Sequence, residues 1–481
     1  MTGTERHLIN ALRAQQGASE SLAQAAAQSK LGSQEQPKLS LAGSRPTITS
    51  ADGRSSIALR ALVQLDAAHY DQQAAGPLAS DFRRGSVGVT SARETEAARD
   101  LSDGAFFRRA RIGVEGVINR VFSYRFITEF GGAAGTEGPA RVNEGWIAYT
   151  GLAPFTFQLG AFSPPANLED DTTADDLLFM ERASSAELSR TLAGADGRIG
   201  FGVRYSGIRG MTSLTLTSRT VNDAEVSDSQ SALVGRIGGL LASSDDFNVH
   251  LGANGSYVIH PADQGAAATG ARYAIRYRDR PEVRVDSTRL IDTGSISADH
   301  AYAAGVEFAG NWQNWLLQGE NFWYGIERRN SPLSNPSFSG YYLQGSWVLT
   351  GESHHYNPAT GAYQSPRPFI PFDSHGGWGA WELALRYSRT DLNHDAGLAG
   401  LARPADGIRG GVQWITAAGV NWYPNANIRF LLDYQHVNVD RLNPAGPGSL
   451  EPFGPAPATP PIGVYVGQRL DIYALRSQFS F

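Results

Sequence analysis

In 481 residues with 41% hydrophobic content, no stretch approaches the roughly 18 consecutive apolar residues a spanning helix requires, which excludes a helical membrane protein. A net charge of −6 gives no footing for nucleic-acid binding, and the absence of cysteine excludes disulfides, thiolate metal sites and thiol nucleophiles together. It also suits a chain exported through an oxidising compartment. Fifty-four glycines and 24 prolines point to many turns. The only lysines are Lys30 and Lys38, so every other basic side chain is an arginine. Guanidinium groups hold carboxylate or phosphate bidentately, although a GC-rich genome gives the same bias.

In chain order, Met1 to Thr4 open without a basic segment and apolar core, so no secretory signal is visible. Residues 1–40 read as a short helical or flexible arm, because Leu8, Ile9, Leu12 and Leu22 permit a helix that Gly17 interrupts. From Ile57 onward the sequence alternates. Ile57, Leu59, Ala61, Val63 and Leu65 oppose Arg60, Gln64 and Asp66. Ile112 and Val114, then Phe122, Tyr124 and Phe126, oppose Arg109, Arg111, Glu115, Arg125 and Glu129. The polar side is too charged for a dry core. Strands are predicted over 57–66, 106–117, 121–130, 141–150, 155–162, 199–206, 211–218, 232–241, 246–258, 298–311, 312–325, 338–351, 378–390, 411–423, 426–438 and 468–481.

Sixteen strands predict an all-β protein, an antiparallel transmembrane β-barrel over 41–481 with the arm in front. Its turns near Asn119–Arg120, 151–154, 207–210, 243–246, 311–314 and 424–425 are tight, while the connections between them are long. Residues 352–377 break that parity and leave room for an extra hairpin. All nine tryptophans lie in or beside predicted strands, as interfacial girdles would require. The last strand alternates as well, with Leu475, Ser477, Phe479 and Phe481 on one face and Arg476 and Gln478 on the other.

Gly43 to Gly53, Val63 to Asp66, Phe107 to Gly116, Phe179 to Arg182, Leu349 to Glu352, Gly379 to Leu383 and Gly419 to Tyr423 carry a resemblance by their order along the chain. With them, residues 39–481 resemble the phosphate-selective porin O and P family. The resemblance implies a sixteen-stranded trimeric porin of the bacterial outer membrane, embedded in its lipid, whose third loop folds into the pore. It also implies that Phe479 and Phe481 form the assembly signal read by the barrel-insertion machinery, and that residues 1–40 are periplasmic. The family's phosphate-binding members are expected to use lysines in the pore, and this barrel has none. The resemblance therefore implies passive diffusion of small hydrophilic solutes with anions favoured, phosphate or organic anions among them, rather than tight phosphate selection.

If the apolar faces meet lipid, Arg60, Arg109, Arg111, Arg125, Arg198, Arg204, Arg236, Arg386, Arg429 and Arg476 point inward and offer successive weak sites to anions. The competing expectation is that they pair with Asp66, Glu115, Glu129, Glu307, Glu320, Glu382 and Asp433. Residues 163–198 are the candidate constriction, with Glu169, Asp170, Asp171, Asp175, Asp176 and Glu181 set against Arg182, Arg190 and Arg198. Acids on that loop facing wall arginines predict a transverse field. The same acids could hold Ca²⁺, but no metal-loop spacing accompanies them, and no metal or other cofactor is expected. His354–His355 reads as a surface pair, and His250 and His436 as lone histidines on their strands. No phosphate loop or nucleophile elbow is present, so no catalytic residue is proposed. The alternative to a porin is a structural envelope barrel whose arm contacts the periplasmic cell wall.

Overall fold

The computed structural model describes residues 15–21, 36–73, 101–132, 140–223, 226–266, 270–373, 375–442, 463, 465 and 467–481. Sixteen strands form the barrel: β1 (Ser56–Gln73), β2 (Gly104–Ile118), β3 (Phe122–Glu129), β4 (Arg141–Leu152), β5 (Phe155–Phe162), β6 (Arg198–Ser206), β7 (Gly210–Thr220) and β8 (Ser231–Ser243) come first. They are followed by β9 (Phe247–His260), β10 (Ile296–Trp312), β11 (Trp315–Arg328), β12 (Ser337–Val348), β13 (Ala380–His394), β14 (Ile408–Tyr423), β15 (Ile428–Asp440) and β16 (Gln468–Ser480). Each pairs antiparallel with the next, and β16 closes on β1 from Arg469 opposite Gln73 to Ser480 opposite Leu62. Closure leaves no strand edge exposed, the condition under which a sheet can sit in lipid.

Burial follows the period of two. Leu251, Val306, Leu317, Leu343, Leu385 and Leu432 stand exposed on the outer face, while His250, Glu307, Gln318, Gln344, Arg386 and Asp433 are buried on the inner one. A belt of exposed large apolar residues around an ionised interior is the inverse of a water-soluble fold. At the turn end the outer aromatics stack in two groups. Trp315 stacks on Trp347 with centroids 5.1 Å apart, Trp381 on Trp422 at 5.5 Å and Trp422 on Phe430 at 5.4 Å. Trp146 departs from the girdle expectation: its indole lines an internal cavity and donates to Glu144 at 2.8 Å.

The predicted turn at Asn119–Arg120 has positive φ at both residues, the twist that matches a two-residue hairpin. Before the barrel, residues 15–21 are helical, and Lys38–Ser40 and Thr47–Thr49 form a hairpin paired to the start of β1, an element the alternation did not predict. The remainder of residues 1–35 lies outside the described residues.

Among the described residues, three connections fold into the barrel. Between β5 and β6, the segment 163–197 carries α1 (Leu168–Asp171) and α2 (Ser184–Ala193). Between β9 and β10, residues 270–295 enter from the same end, and Tyr277, Val283, Val285, Leu290 and Ile291 pack with α2 against inward side chains such as Phe322, Tyr324, Ile415 and Ile472. From the turn end, the irregular connection between β12 and β13 contains the hairpin that its length left room for, His355–Asn357 with Ala362–Gln364. That hairpin points inward and is no part of the wall. Sixteen strands enclose more width than their own side chains can fill, so the inserts complete a solid apolar core across the β9–β16 side.

The wall tolerates little change where strands touch. Gly160 in β5 has φ of 133°, and a Cβ there would lie 2.4 Å from the Gly145 carbonyl oxygen. Gly160→Ala is expected to cost about 1–3 kcal/mol and to lower the temperature at which the folded barrel loses its compact migration on a gel. An unchanged temperature would contradict this packing.

Candidate functional site

The lumen is built on carboxylates that each meet more than one partner. Arg386, in the middle of β13, donates to Glu169 at 2.7 Å and to Glu282 at 2.9 Å, one carboxylate from each of the two inserts that enter at the loop end. Those same carboxylates accept the backbone N–H groups of Ala183 and Ser184 at the start of α2, at 2.7 and 2.9 Å, where negative charge is favoured by the orphan donors and the helix dipole. Two strands away on the same side, Glu320 of β11 accepts from the backbone N–H groups of Leu168 at 2.9 Å and Glu169 at 3.3 Å, and from the Tyr342 hydroxyl at 2.9 Å. The constriction segment is thus clamped to the β11–β13 stretch of the wall.

A second hub surrounds Glu181. Arg108 bonds it at 2.6 Å, Arg284 and Arg476 approach to 3.1 Å and Arg109 to 3.8 Å. Burial opposes ionisation of Glu181, but these guanidinium groups outweigh it and hold the carboxyl well below the usual range. Asp196 behaves alike: burial is overcome by Arg190 and Arg111, and the carboxyl is held well below its ordinary value. Burial instead pushes Asp171 up against the pull of Arg204 and Arg236.

A third hub is Arg236. It bonds Glu307 at 2.8 Å, Asp171, and the carbonyls of Thr360 and Gly361 at 2.6 and 2.8 Å, joining α1 to the tip of the inward hairpin. His250 is not alone there, since its ring meets Glu307 at 3.0 Å and Tyr356 at 2.9 Å. His436 likewise meets Asp471 at 2.7 Å. His354 is not a surface residue either: it is buried, 2.6 Å from Glu382, and only His355 is exposed.

The predicted arginines therefore divide. Arg198, Arg236, Arg386, Arg429 and Arg476 are buried against partners. Arg198 donates to the Gly194 and Ser218 carbonyls, Arg429 to those of Asp175 and Leu178, and Arg476 to Asp66 at 2.6 Å. Arg60, Arg109, Arg111, Arg125 and Arg204 line a cavity of about 460 Å³ between the inserted segment and the β1–β7 side of the wall, with Asp170, Asp171, Asp175, Arg182 and Asp196 of the segment. Within that group Arg111 is tied to Glu129 and Asp196, and Arg125 to Glu115 and Glu144. Arg60 and Arg204 are held most loosely. Their nearest carboxylates, Glu115 and Asp171, lie at 3.7 and 3.6 Å, and their side chains keep 32% and 28% of their exposure. Asp170 is taken up by Arg190, and Asp176 accepts from Ser365 at 2.9 Å.

Of the paired acids expected on the wall, Asp66, Glu115, Glu129 and Glu307 do meet arginines. Glu382 instead meets His354 and Tyr423, Glu320 meets α1, and Asp433 accepts from the Met180 backbone. Phe479 lies on the outer face with its ring 5.4 Å from that of Phe481, whose backbone exchanges hydrogen bonds with Ala61.

Alternation alone places Arg108 outside. A register shift sets Gln64 opposite Arg109 and Leu65 opposite Phe107, so Arg108 is the extra residue of a bulge and both arginines reach Glu181. Two consecutive charged residues in a strand are the signal that could have shown it. Glu282 and Arg284 were missed because nothing local marks a loop that folds inward.

A closed sixteen-stranded barrel with an apolar belt and an ionised lumen belongs to the class of bacterial outer-membrane porins, channels for small solutes. Within that class the chain belongs to the family described as phosphate-selective porin O and P, whose sequence model matches residues 86–448. Gly43 to Gly53 and Val63 to Asp66 fall before the match. An uncharacterized protein of Caulobacter vibrioides is 26% identical over 370 residues, 74% of this chain and 68% of its own length. Porin O of Pseudomonas aeruginosa is 24% identical over 362 residues, 71% of this chain and 78% of its own. Among solved structures, an anion-selective porin from Comamonas acidovorans aligns with a TM-score of 0.47 and 10% identity, over 89% of this chain and 100% of its own.

Arg386→Ala leaves Glu169 and Glu282 buried without their cation, which is expected to cost about 3–5 kcal/mol. The variant should unfold at lower temperature than the parent in detergent. Adding Glu169→Gln and Glu282→Gln should recover part of the loss, and full stability of the single variant would contradict the clamp.

Proposed function

We propose that this porin passes small hydrophilic solutes with a preference for anions, inorganic and organic, and without tight phosphate selection. The observation that carries the reading is the cavity beside the inserted segment, where the loosely held Arg60 and Arg204 face Asp170, Asp171 and Asp175. An excess of arginine on the wall opposite an excess of carboxylate on the segment sets a field across the passage. A loosely paired guanidinium attracts an anion without trapping it, while the acids disfavour multivalent anions. Lysine-free walls and interleaved acids argue against a phosphate-specific site, whatever the family description. The loop end faces outward and the turn end faces the periplasm, with residues 1–40 beside it, and the working unit is a homotrimer. The filled β9–β16 side supports a second reading, a structural envelope barrel that conducts little and contacts the cell wall through that arm.

Purified full-length protein in planar bilayers is expected to give stepwise conductance and a reversal potential of anion-selective sign in a potassium chloride gradient. Arg60→Gln with Arg204→Gln should lower the anion-to-cation permeability ratio by roughly twofold or more. Cation selectivity in the parent would refute the anion reading, and absence of steps from folded protein would favour the envelope barrel.

A further inference from the structure

Among the described residues two aromatic rings line the lumen cavity, Phe162 and Trp146. Phe162 is buried, whereas Trp146 on β4 is only half-buried. Its indole is held in place. The Nε1–H donates to Glu144 at 2.8 Å, Glu144 also accepts from Arg125 at 3.2 Å, and the Arg125 guanidinium lies 5.4 Å from the ring centroid. Arg125 donates to Glu115 as well, at 2.8 Å, so its charge is taken up by carboxylates and its planar fork is fixed beside the ring. On the other side of β4, Trp146 pairs with Gly160, which brings no side chain against the indole.

The neighbouring row of the wall supplies an aliphatic group and a cation. Arg60 pairs with Gly113, and Gly113 with Ile127, which lines the cavity on the same inward face as Arg125. In strand order Ile127 therefore stands between Arg60 and Trp146, and the glycine on β2 leaves no side chain at that level. A hydrated inorganic anion gains nothing from an indole face and an isoleucine. A solute with a flat ring buries apolar surface against both and stacks on the indole. Arg60, whose nearest carboxylate is 3.7 Å away, offers that solute one ionic contact. Asp170, Asp171 and Asp175 border the same cavity and disfavour a second negative charge on it. The volume of about 460 Å³ lies in the range of pockets that hold small molecules.

We propose that the lumen cavity is a transient binding site for aromatic monocarboxylates, with Trp146 stacking on the ring and Arg60 meeting the carboxylate. The proposal rests on the anion-passage reading and names the class of organic anion that the passage selects.

The test is the chloride current of full-length protein in planar bilayers at neutral pH, recorded while benzoate, cyclohexanecarboxylate or acetate is added. All three carry one negative charge, and the first two are close in size, so their difference reads the flat ring. Benzoate is expected to halve the current at a concentration roughly threefold or more below that of cyclohexanecarboxylate, with acetate weaker than either. Trp146→Leu should erase the difference between benzoate and cyclohexanecarboxylate, and Trp146→Phe, which keeps a ring but loses the bond to Glu144, should retain it. A tryptophan that only supports the wall would not separate these two variants. Should Trp146→Leu fail to form a heat-resistant barrel, Trp146→Met takes its place with the same expectation. In an anion-selective parent, equal block by benzoate and cyclohexanecarboxylate, absence of block by benzoate, or a preference unchanged in Trp146→Leu would overturn this proposal and leave the anion-passage reading intact. Cation selectivity of the parent, or absence of conductance steps, would overturn both.

Discussion

Arg386 is the interaction on which the interior depends. A sixteen-stranded wall must be filled by something other than its own side chains, and filling it with loops brings backbone donors and charges out of water. Arg386 resolves both at once, because the carboxylates it holds, Glu169 and Glu282, are also the groups that satisfy the first N–H donors of α2. Removing the guanidinium would strand two anions and loosen two segments. The apolar packing of Tyr277, Val283 and Leu290 against α2 depends on the same anchorage.

The consequence is an asymmetric lumen. On the β9–β16 side the inserts and the wall pack into a filled core, and the buried arginines there serve as structural cations. On the β1–β7 side a cavity remains, bordered by acids of the inserted segment and by arginines of the wall. The tip of the turn-end hairpin, at Ala359 and Thr360, reaches the same cavity and is tied by Arg236 to the segment that borders it from above. Arginine thus lines the open cavity and also anchors the filled side, separated by where the loops lie.

Much of the wall was legible because a period of two is a local property. Gln64, Asp66, Arg476 and Gln478 fell inside and Leu65, Leu475 and Phe479 outside, as alternation requires. Arg108 did not follow, since a bulge adds a residue that alternation cannot register. The site was less legible for a different reason. Whether an inward arginine is paired depends on carboxylates that arrive from loops, and Glu282 sits in a segment with no periodicity to mark its path. His354 looked like half of an exposed pair until the inward hairpin placed it against Glu382. The odd length of 352–377 was the one local sign of that hairpin.

Where solute can and cannot go inside the barrel is open to direct measurement. Because the chain has no cysteine, single cysteines can be read individually. Thr156→Cys on β5 borders the open cavity, whereas Ser388→Cys replaces a hydroxyl buried 2.6 Å from Glu282 in the filled side. Channel current recorded during addition of a bulky water-soluble methanethiosulfonate should fall for Thr156→Cys and stay constant for Ser388→Cys. Block at Ser388→Cys, or no effect at Thr156→Cys, would contradict the asymmetric lumen.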